Sequence, residues 1–354
     1  MKKSSLLIVV FSLLLFSFTF SQTVQKAKTP RGGRVIGTIF NHAEYYLNEP
    51  TAANPSVATG GRSQFEFTRA NIGYEYYFNQ NLYTRVMYEA AGNYLQEGYL
   101  RINNIFPQNA LTFGLMKTEA SKMPEKIWEY RALDKMILDR NGFTQGYDKG
   151  IELSSTSSSF YYNLMAGNGS GVFGENNKLK KLYLSFGSWL DKNNVLDFYV
   201  DYENVATGKS SLTGKFFYGM TSQTFALGVE AFYRIDKKFA IEKVLRDRTP
   251  LGGSVFSWVE FTKGMRGVLR VDFVDDDFNN SNPKVTLPIS NASYREASYR
   301  HLYLNVGVDF APIPEVHIIP NIVYDKSMKK GNSPLVKDTQ IVRLTAAVYF
   351  PTRY

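Results

Sequence analysis

Cysteine is absent from all 354 residues, and histidine occurs three times, at His42, His301 and His317. No disulfide framework can form, no lipid-anchoring cysteine follows the amino terminus, and the thiolate and imidazole clusters of transition-metal sites lack their raw material. After residue 21 no apolar run approaches the ~20 residues that a helix needs to cross a bilayer. Membrane strands stay open under that test, because a barrel strand turns half of its side chains toward water. Abundance lies in aromatic rings, with 24 Tyr and 26 Phe against a mean hydropathy of -0.25. Soluble all-β proteins share strand alternation but usually carry fewer aromatic residues.

Residues 1–21 read as a secretion signal: Lys2 and Lys3 form the basic end and Leu6 to Phe20 the apolar run. Thr19 and Ser21 supply small residues before the expected cut ahead of Gln22. A short periplasmic lead over 22–33 follows. The formal charge of +9 comes without a basic run of the nucleic-acid type, so the expected partners are anionic solutes or lipopolysaccharide, with no nucleic acid.

Beyond the lead the dominant signal has a period of two. In the last stretch Val342, Leu344, Ala346, Val348 and Phe350 fall on one phase and Arg343, Thr345 and Tyr349 on the other. Two strands over 63–92 meet at Asn79-Gln80-Asn81, with Ala70, Ile72, Tyr74, Tyr76 and Phe78 opposing Arg69, Asn71, Gly73 and Glu75. Counting from Arg34, this alternation predicts sixteen strands, the weakest at 239–246. Tight turns near 79, 107, 157, 192, 237, 264 and 313 alternate with longer loops. The expected architecture is an all-β transmembrane antiparallel up-and-down β-barrel over 34–354, with one long inserted loop. In hydrocarbon an open sheet edge is costly, so the sheet closes, and sixteen strands enclose water.

The insertion from Lys117 to Asp148 is the candidate constriction loop. Pro124 fits a first helical turn, and Ile127, Tyr130, Leu133 and Ile137 recur near helical spacing. Folded inward, the loop would offer Lys117, Lys122, Lys126, Arg131, Lys135 and Arg140 to a solute. Glu119, Glu125, Glu129, Asp134, Asp139 and Asp148 balance those charges, and an ordinary surface loop is the bland alternative. Strand phases also turn Arg69, Arg85, Arg101, Arg234, Arg270 and Arg343 inward as candidate pore-lining residues. A guanidinium ladder favours anions, whereas acids on the same faces favour charge pairing.

Other motifs carry less. "TGKSS" at Thr207 to Ser211 lacks the earlier glycine of a phosphate loop and reads as an external loop. Asp275, Asp276, Asp277, Asn279 and Asn280 lack EF-hand spacing, so no metal site is assigned. No catalytic residue and no cofactor are assigned either: a lipase would need serine and histidine on the lipid-facing rim, and the phases send His301 and His317 inward.

The order of "LTFGLMKTEASKMP", a charged loop with "WEYRALDK", then "YDKGIEL", and later "SVFSWVEFTKGMRGVLRVDFVDDD" and "HLYLNVGVDFAPIPEVHIIPNIVYD" resembles the phosphate-selective porin O and P family. The resemblance implies a sixteen-stranded channel, commonly trimeric, that passes anions through an inward-folded loop. The interleaved acids depart from that family's basic constriction. A final strand ending in an aromatic residue, here Tyr354, resembles the segment that barrel-assembly machinery recognises. The expected protein is therefore a Gram-negative outer-membrane porin passing small anionic or neutral solutes. A blocked barrel serving as adhesin or surface scaffold, and an outer-membrane lipase, are the alternatives.

Overall fold

A computed structural model describes residues 31–51, 57–157, 159–175, 179–206, 208–241, 244–279, 299–330 and 336–350. The expected signal segment and Tyr354 lie outside the described residues. Among the described residues eighteen strands form one sheet. The first nine are β1 (Gly32–Pro50), β2 (Ala58–Thr59), β3 (Arg62–Asn79), β4 (Leu82–Glu89), β5 (Tyr94–Asn103), β6 (Asn109–Lys117), β7 (Tyr147–Thr156), β8 (Phe160–Gly167) and β9 (Lys181–Trp189). The rest are β10 (Asn194–Ala206), β11 (Lys209–Thr221), β12 (Phe225–Ile241), β13 (Val244–Arg248), β14 (Leu251–Thr262), β15 (Met265–Asp275), β16 (Tyr299–Ile313), β17 (Val316–Lys329) and β18 (Thr339–Phe350). β2 and β13 are short additions at the rim, and the remaining strands make a closed antiparallel barrel of sixteen.

Closure is made where β18 pairs with β1, from Phe350 against Gly37 to Gln340 against Asn48. On its other side β1 pairs with β3, so no long strand edge stays open at the seam. Register fixes which residues share a face, because partners across an antiparallel pair point the same way. Phe198, Phe216, Val229, Val255, Leu269 and Leu304 lie on one surface, outward. Asp197, Phe217, Glu230, Ser254, Arg270 and Asn305 lie on the other.

The expected count of sixteen stands, although two of its members change. The stretch expected as a strand at 239–246 is the tip of a hairpin in which Phe239 pairs with Arg246, an extension of β12 into β13 beyond the barrel proper. The missing member is β11, whose first residues lie in "TGKSS", so Lys209 to Ser211 belong to a strand and not to an external loop. Its alternation is blurred by adjacent Phe216 and Phe217, one turned outward and one inward. The tight turn expected near 237 accordingly sits at 222–224, where the Ser222 amide donates to the Phe225 carbonyl at 2.7 Å.

Candidate functional site

Between β6 and β7 the chain leaves the wall and crosses the lumen. It carries helices α1 (Glu119–Trp128) and α2 (Ile137–Arg140). Thr118 precedes α1 with extended backbone, and its hydroxyl donates to the Gln145 carbonyl at 2.6 Å, tying the two ends of the loop together. α1 ends at Glu129, which adopts a left-handed conformation with φ 62 and donates its amide to the Glu125 carbonyl.

Pro124 lies inside α1, not in its first turn as the sequence suggests. Proline has no amide hydrogen, so the carbonyl four residues earlier, that of Ala120, loses its helical donor. Lys215 on β11 reaches across and donates its ammonium to that carbonyl.

The same device recurs around the wall. Trp258 Nε1 on β14 donates to Ile127 O at 3.3 Å, and Arg270 Nη1 on β15 to Lys135 O at 2.6 Å. Arg234 Nη1 on β12 donates to Phe143 O at 2.5 Å, Arg343 Nη1 on β18 to Leu133 O at 3.1 Å, and His42 Nε2 on β1 pairs with Ala132 O at 3.0 Å. An irregular segment buried in protein must satisfy its main-chain acceptors somewhere, and here six barrel strands supply the donors.

Apolar contact adds to this grip. Ile127, Trp128, Leu133 and Met136 form one buried cluster with Phe217, Phe256, Val268 and Ile319 from the wall. Ala120, Ile137, Leu138 and Phe143 form another with Met165, Tyr183, Tyr199 and Phe232. Ala132 packs with Phe40, Ala347 and Tyr349 in a third. The inner side of the wall therefore carries apolar patches beneath the loop, between the charged donors, and α1 rests on β9, β10, β11, β12 and β14.

The candidate basic residues of the loop are all partnered. Lys117 pairs with Glu125, and Lys122 with Glu119 and, at 3.0 Å, with Glu152 on β7. Arg131 lies 3.5 Å from Glu125, Lys135 3.6 Å from Asp139, and Arg140 2.6 Å from Asp325 on β17. Lys126 sits over the Trp189 ring at 5.0 Å. Burial, with the Glu152 carboxylate alongside, pushes Glu119 up to about 8 against the pull of Lys122. Burial also works to raise Asp134, but Arg140 and Arg270 outweigh it and hold this carboxyl well below the usual range.

The six candidate arginines on the strands all face inward and differ in their surroundings. Arg234, Arg270 and Arg343 lie beneath the loop, where each grips a loop carbonyl and an acid: Asp236 at 2.7 Å, Asp272 at 2.7 Å and Glu44 at 2.7 Å. Arg69 lies 3.8 Å from Glu89, buried near the loop's departure from the wall. Arg85 and Arg101 differ, with side chains 27% and 26% exposed. They sit on β4 and β5, across the barrel from the strands that carry α1. Arg85 meets Glu75 and, at 3.0 Å, Glu97, while Arg101 lies 3.5 Å from Glu152.

Alternation alone does not reveal the clamping roles of Lys215, Trp258 and His42, or the inward tyrosines Tyr77, Tyr83 and Tyr99. The one available signal is Pro124, which announces an unsatisfied carbonyl at Ala120. A second unforeseen contact is a chain from Ser327 Oγ to His301 Nδ1 at 3.2 Å and from His301 Nε2 to Asp276 Oδ2 at 3.0 Å. Ser327 and His301 are direct partners across β16 and β17, which accounts for their meeting.

A closed sixteen-stranded barrel with a loop folded across its lumen defines the fold class of the outer-membrane porins. Among solved structures the chain is similar to the outer-membrane channel DcaP of Acinetobacter baumannii, at 11% identity and a TM-score of 0.64 over 93% of this chain and all (100%) of that one. It is similar to OprB of Pseudomonas putida at 9% identity, TM-score 0.63, over 90% of this chain and 94% of that one. It also resembles an anion-selective porin from Comamonas acidovorans at 9% identity, TM-score 0.62, over 91% and 100%. No family model matches the sequence, and no curated protein matches it.

Proposed function

We propose that the protein is a porin of the Gram-negative outer membrane, a passive diffusion channel for small hydrophilic solutes, with the loop as its constriction. The observation that carries this reading is the uneven seating of the loop. It is clamped to β1, β11, β12, β14, β15 and β18 but leaves the charged inner faces of β4 and β5 partly open. The remaining passage therefore follows that wall. An outward surface of Phe, Val, Leu and Tyr side chains suits hydrocarbon, and the closed hydrogen-bond ladder leaves no edge for lipid to meet.

Ion preference is weak in this reading. Every arginine expected to draw anions has an acid beside it, so phosphate selectivity of the kind suggested by the sequence resemblance has little free positive charge to work with. The blocked scaffold is the second reading, favoured by the apolar clusters that fill the side of the lumen under α1. The test is conductance of the purified protein in planar bilayers, alone and with residues 119–144 replaced by a short Gly-Ser link. A steady open current that rises in the shortened variant supports the constricted porin. A silent full-length protein that conducts only after shortening establishes the scaffold instead. Native mass in detergent tests the homo-oligomer expected from the same resemblance, and a shift of assembly on removing the terminal aromatic tests the role of Tyr354 toward the assembly machinery.

A further inference from the structure

The open wall is ordered in two cross-strand rows. One runs Arg34, Glu75, Arg85, Tyr99 and on to Gly114 and Gly150, which project no side chain into the lumen. The other runs Tyr77, Tyr83, Arg101, Thr112, Glu152. Tyr77 and Tyr83 stack with centroids 5.0 Å apart, and Tyr99 meets Tyr83 edge-on at 6.1 Å, so three rings form one continuous patch. None of the three is fully buried, whereas Tyr183, Tyr199 and Tyr303 elsewhere on the inner face are.

Around the patch charge is present but cancelled. Arg34, Arg85 and Arg101 are matched by Glu75, Glu97 and Glu152 through contacts of 2.8, 3.0 and 3.5 Å. A free anion would meet the carboxylates and a free cation the guanidinium groups. A neutral solute dense in hydroxyl groups meets neither penalty: the three carboxylates are buried, while the part-exposed Arg85 and Arg101 guanidinium groups donate to a hydroxyl without giving up their acids. Such a solute gains from rings only if it also has an apolar face, as the C–H face of a pyranose does.

We propose that Tyr77, Tyr83, Tyr99 and the acid-paired Arg85 form a binding track for neutral saccharides along the open wall. This rests on the porin reading in one respect, that the wall lines the water-filled path. The track deepens that reading by naming the solute class. The rings take the C–H face of a sugar while the acid-paired guanidinium groups donate hydrogen bonds to its hydroxyls, and a chain of sugars slides from ring to ring.

The test uses the full-length protein in planar bilayers with maltose as the probe. Maltose should reduce the potassium chloride current saturably, each variant being scored against its own open current. Tyr83→Ala should raise the half-blocking concentration about tenfold, the loss expected for one stacking ring, while Tyr83→Phe, which keeps the ring, stays near the parent. A block that fails to saturate, a block indifferent to Tyr83→Ala, or block by phosphate or glycine in place of maltose overturns the track. Should no current flow at all, the porin reading fails separately. Calorimetric titration of maltose into the detergent-solubilised protein then decides the track: heat lost in Tyr83→Ala supports it and absence of heat in the parent refutes it. Native-like circular dichroism of each variant confirms that it has folded.

Discussion

Replacing Arg343 by Met removes one of the six main-chain clamps while leaving an apolar stem of similar length, and the consequence can be worked out. The guanidinium donates to Leu133 O at 3.1 Å and to Glu44 Oε1 at 2.7 Å. Glu44 keeps two donors on Oε2, Tyr46 at 2.7 Å and Gln64 at 2.6 Å, while its Oε1 loses the guanidinium, a cost that falls on the wall. On the loop, the Leu133 carbonyl gives up a charged donor. Hydrogen bonds to charged groups contribute about 1.5–3 kcal/mol. At ~1.4 kcal/mol per factor of ten, the fraction of time the loop spends detached near residue 133 should rise about 10- to 100-fold. The chain contains no cysteine, so a single Ala132→Cys substitution at a buried position provides a unique reporter. Its labelling by a small thiol reagent tracks transient opening. Arg343→Met should speed labelling by that factor, and Arg85→Met, which contacts no loop residue among the described contacts, should leave it unchanged. Equal rates in all three proteins would refute the idea that main-chain clamps hold the loop.

Further outcomes are expected. Glu119 binds its proton up to about 8 when the loop is docked but only to the ordinary 4.5 when it is released. Docking is therefore strongest at low pH and weakens as pH rises through that window, with current noise from loop motion growing in step. Glu119→Gln should flatten the profile, and an unchanged pH response would sink the assignment. Reversal potential under a salt gradient should be small for the parent, move toward anions in Glu97→Gln and toward cations in Arg85→Met. If neither variant moves it, the passage does not follow β4 and β5. On the outer surface, Val255→Arg places a charge where the proposed porin meets hydrocarbon and should cost roughly 2–4 kcal/mol in refolding into lipid vesicles but less in detergent micelles, and an equal loss in both would refute a membrane-facing site.

The barrel was legible because period-two alternation is a direct image of its two surfaces, apolar side chains outside and polar contacts inside. It failed at β11, and the reason is local: Phe217 is inward yet apolar because it packs against Ile127 and Trp128 of the loop. Phe256, Trp258, Val268 and Ile319 break the expected wet interior for the same cause. A reading that assumes water throughout the lumen cannot recognise a strand whose inner face was shaped by a helix. The surplus strand at 239–246 arose because hairpin residues beyond the rim alternate just as barrel residues do. Among the arginines, phase gave the side of the sheet correctly. Whether each lies under the loop or beside the passage depends on where the loop settles, which no spacing in the sequence encodes.

The six wall donors bind oxygens that every amino acid carries. The part-exposed side chains on the crossing segment are thus released from the duty of mooring it, which falls to those carbonyls and to buried residues such as Trp128 and Leu133. Residues such as Lys126, whose ring contact with Trp189 is peripheral, could be exchanged while the segment keeps its berth. In the proposed porin the mesh can therefore change without rebuilding the frame, and exchanging the part-exposed residues between Thr118 and Gln145 while keeping the buried ones would be a practical route to channels of altered taste.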